Sequence, residues 1–188
     1  MALRTIRVIG DEILTKKAKT VTEMTPKLEE LIEDMLDTMY EANGVGLAAP
    51  QVGILKRIVV IDVSEEGDEP MILINPEVLE TSGEQTGSEA CLSVPGKNGQ
   101  VTRPNYAKVR ALDEEMEEII IEGEELLARA LLHEIDHLEG HLYVEKAEGG
   151  LRDNEEEEEQ EQSGQPHPGS SASQNRGSRR GQNNRKGR

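Results

Sequence analysis

His133, Glu134 and His137 fall within five residues, as H-E-x-x-H, a spacing that suits metal-assisted hydrolysis. In a helix, residues four apart lie one turn above each other, so the two imidazoles project in parallel from one face. Two neutral imidazoles so placed can hold one divalent metal at about 2.0–2.1 Å. Glu134 leans to the side of the pair, where a carboxylate can reach an activated water without being a ligand. The pattern fixes only H, E and H and arises often by chance, so its setting matters. Two buried histidines without a shared ion would each need a hydrogen-bond partner.

The segment Gly123–Gly140 supplies a helical setting, with apolar residues at Leu126, Leu127, Ala130, Leu131, Ile135 and Leu138. Leu126 and Ala130 continue the histidine face, so both imidazoles are expected to point inward. A third ligand is harder to find. The longer protease pattern H-E-x-x-H-x-x-G-x-x-H matches at Gly140 but meets Tyr143 where it needs His. Proteases that use a downstream Glu would need an ordered helix after residue 145, and only Glu145, Glu148 and Glu155–Glu159 follow. Cys91, the one cysteine, remains a candidate, although alone it reads as a small buried hydrophobe.

The rest of the chain must position these groups. Residues 1–22 read as an extended arm with a turn at Gly10-Asp11. Thr25-Pro26 is a helix start, with Thr as N-cap and Pro at the first helical position. Leu28, Leu31, Ile32, Met35, Leu36, Met39 and Tyr40 follow at helical spacing up to Asn43-Gly44. Gly44–Gly53 is a run of small residues that permits close backbone approach, with Gln51 as a polar amide in an apolar setting. It lacks a following Lys-Ser/Thr and is no phosphate loop. Arg57–Val63 and Met71–Asn75 read as strands, the second stopped by Pro76 and extended by Val78–Glu80. Ser82–Glu89 reads as a Gly-rich loop. Val101, Lys108–Leu112 and Glu118–Glu122 read as short strands, with Asp113–Glu117 as a hairpin turn, and Leu142–Val144 as an apolar return. Strands surround two helices without βαβ alternation, which predicts an α+β fold with antiparallel sheets around the histidine helix.

The chain has 188 residues, enough for one domain and a tail. Residues 1–150 are expected to form that domain. From residue 151 the composition changes to a Glu155–Glu159 run and then a Gly/Ser/Gln/Asn/Arg-rich stretch, expected to be a disordered tail. Its basic end, with Arg176, Arg179 and Arg180, reads as a solvated tail rather than an RNA contact. A net charge of −17 argues against DNA or an anionic membrane as partner. There is no run of about 18 apolar residues, no secretory h-region and a single cysteine, so a reducing, cytoplasmic setting is expected. Phe and Trp are absent, so the core must be aliphatic and filled by Met.

Taken together, three stretches resemble the peptide deformylase family over roughly residues 2–147. The family pattern G-x-G-x-A-A-x-Q is matched by Gly44, Gly46, Ala48, Ala49 and Gln51. The pattern E-G-C-L-S is matched by Glu89, Cys91, Leu92 and Ser93, and Q-H-E-x-D-H by His133, Glu134, Asp136 and His137. The resemblance implies one divalent metal on Cys91, His133 and His137, Fe(II) first, with Zn, Ni or Co able to take the site. It implies removal of the N-formyl group from the formyl-methionine that starts nascent polypeptides, with formate released. Glu134 would be the acid/base, and Gln51 and the Leu92 backbone N–H would be the oxyanion donors. Val45, Gly46, Glu89, Leu126 and His133 would line the methionine site. Implied partners are N-formyl-methionyl peptides and the ribosome with its nascent chain, and the implied state is a monomer.

The chain departs from the family pattern at three places. Ala90 replaces a Gly, which would strain the loop if φ were positive there. Leu132 replaces the Gln before His133, and Asn98 stands where many members carry Arg, so Glu89 is expected to lack its usual partner. Two other readings stay open at this level. One is an inactive metal-binding relative that uses its charged tail; the other is a zinc endopeptidase, which would survive loss of Cys91.

Overall fold

The computed structural model describes residues 2–154; Met1 and residues 155–188, which include the expected tail, lie outside the described residues. The first long helix, α1 (Pro26–Glu41), starts where Thr25 accepts from the Leu28 N–H and Pro26 takes the first turn. It buries Leu31, Ile32, Met35 and Met39 on one face.

Among the described residues, eight strands make two antiparallel sheets. The larger one orders β1 (Gly46–Ala48), β2 (Ile58–Ile61), β3 (Met71–Ser82), β6 (Tyr106–Leu112) and β7 (Glu118–Glu124) as β1-β2-β3-β6-β7. The smaller one orders β4 (Gln85–Cys91), β5 (Val94–Arg103) and β8 (Glu148–Asp153) as β4-β5-β8. The second long helix, α2 (Glu125–Glu139), packs on β1, β2, β6 and β7 and ends at Gly140 in the left-handed conformation.

β2 explains the layering. Ile58 and Val60 pack with Leu31, Ile32, Met35 and Met39 of α1. Val59 and Ile61 join Ala130, Leu131 and Leu138 of α2 in a second core. A strand buried on both faces needs apolar residues at every position, and β2 has them. The larger sheet is thus a filled layer between two helices, and α2 reaches β4 through Arg129 and His133, which both bond Glu89.

Several expectations need correction. The strand at Arg57–Val63 is shorter, Ile58–Ile61. Pro76 does not stop β3, which runs through it with register shifts between Ile74 and Glu77 and between Val78 and Glu80. A proline without an N–H donor is tolerated at such a bulge. Ser82–Glu89 is no loop, because Gln85–Cys91 is a strand paired to β5 throughout. The short strand expected at Val101 is the ten-residue β5. Leu142–Val144 runs into a single 3-10 turn, Tyr143–Glu145, that buries Tyr143. β8 crosses the position between 150 and 151 where composition had ended the domain. Its side chains are all exposed, so it carries no apolar signal; it is held by pairing to β5 and by a 2.6 Å ion pair from Lys97 to Asp153. No helix among the described residues is long and apolar enough to cross a membrane.

Candidate metal centre and active site

Two elements carry the candidate ligands. α2 presents His133 and His137 one turn apart, with ring centroids 5.0 Å from each other. Cys91 closes β4, where the chain reverses through Leu92-Ser93 into β5. Its Sγ lies 3.3 Å from His137 Nε2. The ligand atoms of Cys91, His133 and His137 all lie within 4.8 Å of one another, and all three residues are buried.

Glu89 sets the orientation of His133. Its carboxylate takes the His133 Nδ1 at 2.5 Å, which leaves Nε2 for the cluster. The same carboxylate accepts Arg103 Nε at 2.7 Å and Nη2 at 2.8 Å, and Arg129 Nη1 at 2.6 Å. Arg103 reaches on to Asp136 on α2, at 2.9 Å. Burial pushes the Glu89 carboxyl up, but the hydrogen bonds from His133 and Arg103 outweigh it and hold the group well below the usual range. Asn98 makes no hydrogen bond to Glu89, yet the carboxylate is not left bare, because Arg103 and Arg129 hold it. Asn98 instead donates to Asn154 Oδ1 at 3.0 Å.

Gln51 stands opposite, in a 3-10 turn at Ala49–Val52. Its Oε1 accepts from the Ala48 N–H at 2.8 Å, so the amide cannot turn over without breaking a buried bond. Its Nε2 faces Ser93 Oγ at 3.1 Å and Cys91 Sγ at 3.5 Å. Glu134, 5% exposed, has one carboxylate oxygen, Oε2, buried without a hydrogen-bond partner among the described residues. Burial is the main reason its carboxyl is pushed up to about 7. The Glu134 side chain occupies the space that the missing side chain of Gly46 leaves open.

These groups meet at a cavity of about 420 Å³ lined by Val45, Gly46, Leu92, Leu126, His133 and Glu134 among others. Val45 and Leu126 are half exposed at its rim, so Leu126 does not point inward as its helical phase suggested. Ala90 also lines the cavity, but it is not among the non-glycine residues at positive φ, so the expected strain is absent. Sequence reasoning missed Arg103, Arg129 and Tyr143. Arg129 had a signal, since it lies one turn before His133 on α2. Tyr143 stacks on His133 with centroids 6.0 Å apart.

The donors fit a soft divalent ion. One sulfur and two imidazoles leave a position open to a small ligand. Burial disfavours a charged His133, yet hydrogen bonds to Cys91 and Glu89 raise it to about 10, so the cluster attracts positive charge. His137 is driven well below its usual range, by burial first and then by the neighbouring His133 and Arg103 charges, and so offers a neutral nitrogen.

Comparison with known proteins agrees with this geometry. The family model described as polypeptide deformylase matches residues 3–152. A peptide deformylase of Agathobacter rectalis is 70% identical over 153 residues, spanning 81% of this chain and 95% of that protein. One of Lachnoclostridium phytofermentans is 65% identical over 153 residues, spanning 81% and 94%. The crystal structure of a peptide deformylase from Legionella pneumophila superposes with a TM-score of 0.76 at 46% identity, covering 79% of this chain and 88% of that one. That of a Synechococcus elongatus peptide deformylase in complex with actinonin gives 0.74 at 40% identity, covering 78% and 79%. With a buried Cys91, His133 and His137 cluster of which Cys91 and His133 line the cavity, the chain belongs to the peptide deformylase family, metal-dependent hydrolases that remove N-formyl groups from nascent peptides.

Proposed function

We propose that this chain removes the formyl group from formyl-methionyl peptides at the Cys91, His133 and His137 centre, with Fe(II) as its working metal and Zn, Ni or Co as substitutes. The observation that carries the reading is the buried Glu134 carboxylate, which lines one cavity with Cys91 and His133, two of three buried metal donors clustered there with His137. When bound, the ion would supply a Lewis acid and an acidified water. The chain supplies the rest. Glu134 takes the proton of the attacking water and returns it to the methionine nitrogen as the C–N bond breaks, releasing formate and a free amine. A carboxyl near 7 can do both at neutral pH. Gln51 Nε2, held by the bond from Ala48 N–H to its Oε1, and the Leu92 backbone N–H would steady the oxyanion on the formyl carbon. One such donor is worth about 2.7–4 kcal/mol. The methionine side chain would lie against Val45, Gly46, Leu126 and the His133 ring. Glu89 is better suited to positioning His133 than to touching substrate, since its carboxylate is taken up by three side chains.

The catalytic unit would run through β8, and it would act as a monomer in the cytoplasm near the ribosome, where formylated chains emerge. The test is formate release from a formyl-Met peptide after anaerobic loading with Fe(II), alongside metal content. One ion per chain with turnover is expected. An ion-loaded protein with no turnover on iron, zinc or nickel would leave only an inactive metal-binding relative.

A further inference from the structure

We propose that Tyr143 is a positioning residue for the metal centre: its ring backs His133 and Cys91 together and holds both donors in place for the ion. That role rests on the reading of Cys91, His133 and His137 as a deformylase centre. In the sequence, Tyr143 stands where the longer protease pattern needs a third His. In the fold it backs the cluster from outside. Gly140 turns the chain back at a φ of 83°, and the His141 N–H donates to Asp136 O at 2.9 Å. The 3-10 turn Tyr143–Glu145 is thereby fastened to the end of α2, and the Leu142 N–H donates to Glu145 Oε1 at 3.1 Å. From that turn the Tyr143 ring stacks on His133, with 6.0 Å between centroids and 25° between planes. It is 1% exposed and packs in one small core with Cys91, Val94 and Val101. Its hydroxyl donates to Lys97 O on β5 at 3.1 Å, so its tip is committed to that strand.

The donors need such a backing. Glu89 takes the His133 Nδ1, which aims the ring within its own plane but leaves its tilt about that bond free. His137 meets His133 at 70°, and its own Nδ1 has no hydrogen-bond partner among the described residues. Packing on the face of His133 supplies the restraint that the hydrogen bond cannot, since a flat ring offers an imidazole a stacking surface that an aliphatic side chain lacks. The chain has no Phe or Trp, and of its three tyrosines only Tyr143 is buried. In a core that is otherwise aliphatic, the one buried phenol ring lies against a metal donor. Two of the three donors thus share a backing that is itself pinned at both ends, by the turn after α2 and by the hydroxyl on β5.

The test loads the full chain, Tyr143→Phe and two ring-free variants, Tyr143→Met and Tyr143→Leu, with Co(II); one ring-free variant that folds is enough. Affinity is read by chelator competition, the visible spectrum at matched loading, and kcat and KM by formate release from a formyl-Met peptide. The ring-free variants should bind Co(II) about 10–100-fold more weakly, as when a group that orients a metal ligand is removed. Their Co(II) bands should shift, and kcat should fall by up to about 10²-fold for a donor displaced by about 1 Å, with KM little changed. Tyr143→Phe keeps the ring and should match the unaltered chain in affinity and spectrum. If Tyr143→Phe loses affinity as a ring-free variant would, the hydroxyl acts and not the ring, and the inference is overturned. It is overturned too if a ring-free variant melts earlier yet keeps the affinity, spectrum and kcat of the unaltered chain, as loss of a mere space-filler would. Proteins that show the expected Co(II) differences but release no formate, the unaltered chain included, uphold the inference and overturn the deformylase reading. An unaltered chain that binds no Co(II) overturns both.

Discussion

Gly46 makes the Glu134 role testable without touching either the carboxylate or a metal donor. A Cβ built on Gly46 would lie 2.8 Å from Glu134 Cδ and 2.9 Å from Cγ, and closer still to Oε1. Ordinary carbon contacts are about 3.5–4.0 Å, so Gly46→Ala requires a retreat of about 0.7–1 Å. The backbone of Gly46 has little room to give, because β1 is buried and paired to β2 opposite Ile61. The Glu134 side chain must therefore move. A displacement of about 1 Å at a reacting group costs about 10²-fold in rate. We expect kcat/KM for a formyl-Met peptide to fall about 10²-fold at matched metal content, with about 1–3 kcal/mol lost in stability from overpacking. Adding Glu134→Gln shows where the loss arises. If Gly46→Ala acts through Glu134, the double variant should be no slower than Glu134→Gln alone, since two changes in one contact are not additive. Wild-type turnover by Gly46→Ala, or fully additive losses in the double variant, would refute the reasoning.

Glu134→Gln should keep its metal and lose about 10²–10⁴-fold in kcat, whereas Cys91→Ser should lose metal on dialysis, because an alcohol is a poor substitute for a thiolate at a soft site. Metal analysis paired with formate release separates the two, and full metal retention by Cys91→Ser would remove it from the ligands. Glu89→Gln leaves the buried Arg103 and Arg129 short of a counter-charge and should cost about 3–5 kcal/mol in denaturant unfolding; an unchanged midpoint would show the cluster to be neutral in stability. Asp34, which accepts from the Ala2 N–H and pairs with Arg4, has its carboxyl lowered, chiefly by the Ala2 bond. A lowered carboxyl contributes stability that is full above its unfolded value of about 3.9 and is lost as pH falls through the lower folded value. The melting difference between wild type and Asp34→Asn should thus be largest at neutral pH and vanish only below about pH 4; a difference that grows on acidification would contradict it.

What could be read from the sequence follows from the range of each interaction. The histidine pair and α1 are local patterns, with a period set by the helix, and both were legible. Cys91 was legible only through the resemblance, because one cysteine carries no spacing. The Glu89 cluster draws on β4, β5 and α2; the helical period relates Arg129 to His133, but no local rule brings Glu89 and Arg103 to them. β4 was misread because its glycine looked like loop chemistry. Gly87 instead leaves room for the Arg129 guanidinium, whose Nη2 would lie 3.4 Å from a Cβ there. β8 was missed because exposed strands need no apolar alternation.

The arm at the N-terminus supplies the last part of the site's rigidity. Its backbone donates to two places that matter: Arg7 N–H to Gln51 O at 2.7 Å, and Ile9 N–H to Ser93 O at 2.8 Å. Gln51 and Ser93 are also joined by their side chains, at 3.1 Å. The turn that holds the amide donor and the turn that follows Cys91 are therefore tied twice, once through side chains and once through the arm. Further along, Ala18 N–H donates to Leu138 O at 2.9 Å, beside His137 on α2. One segment, interrupted by a 3-10 turn at Glu12–Thr15, thus bonds to the backbone of all three stretches that carry the candidate chemistry. Its own start is fixed to α1 through Asp34. The arm's order comes from backbone donors meeting fixed acceptors together with the burial of Leu14, Ala18 and Val21. Its loosening would spread Gln51, Cys91 and His137 apart together, and a site whose donors must hold their positions to within about 1 Å has reason to be strapped in this way.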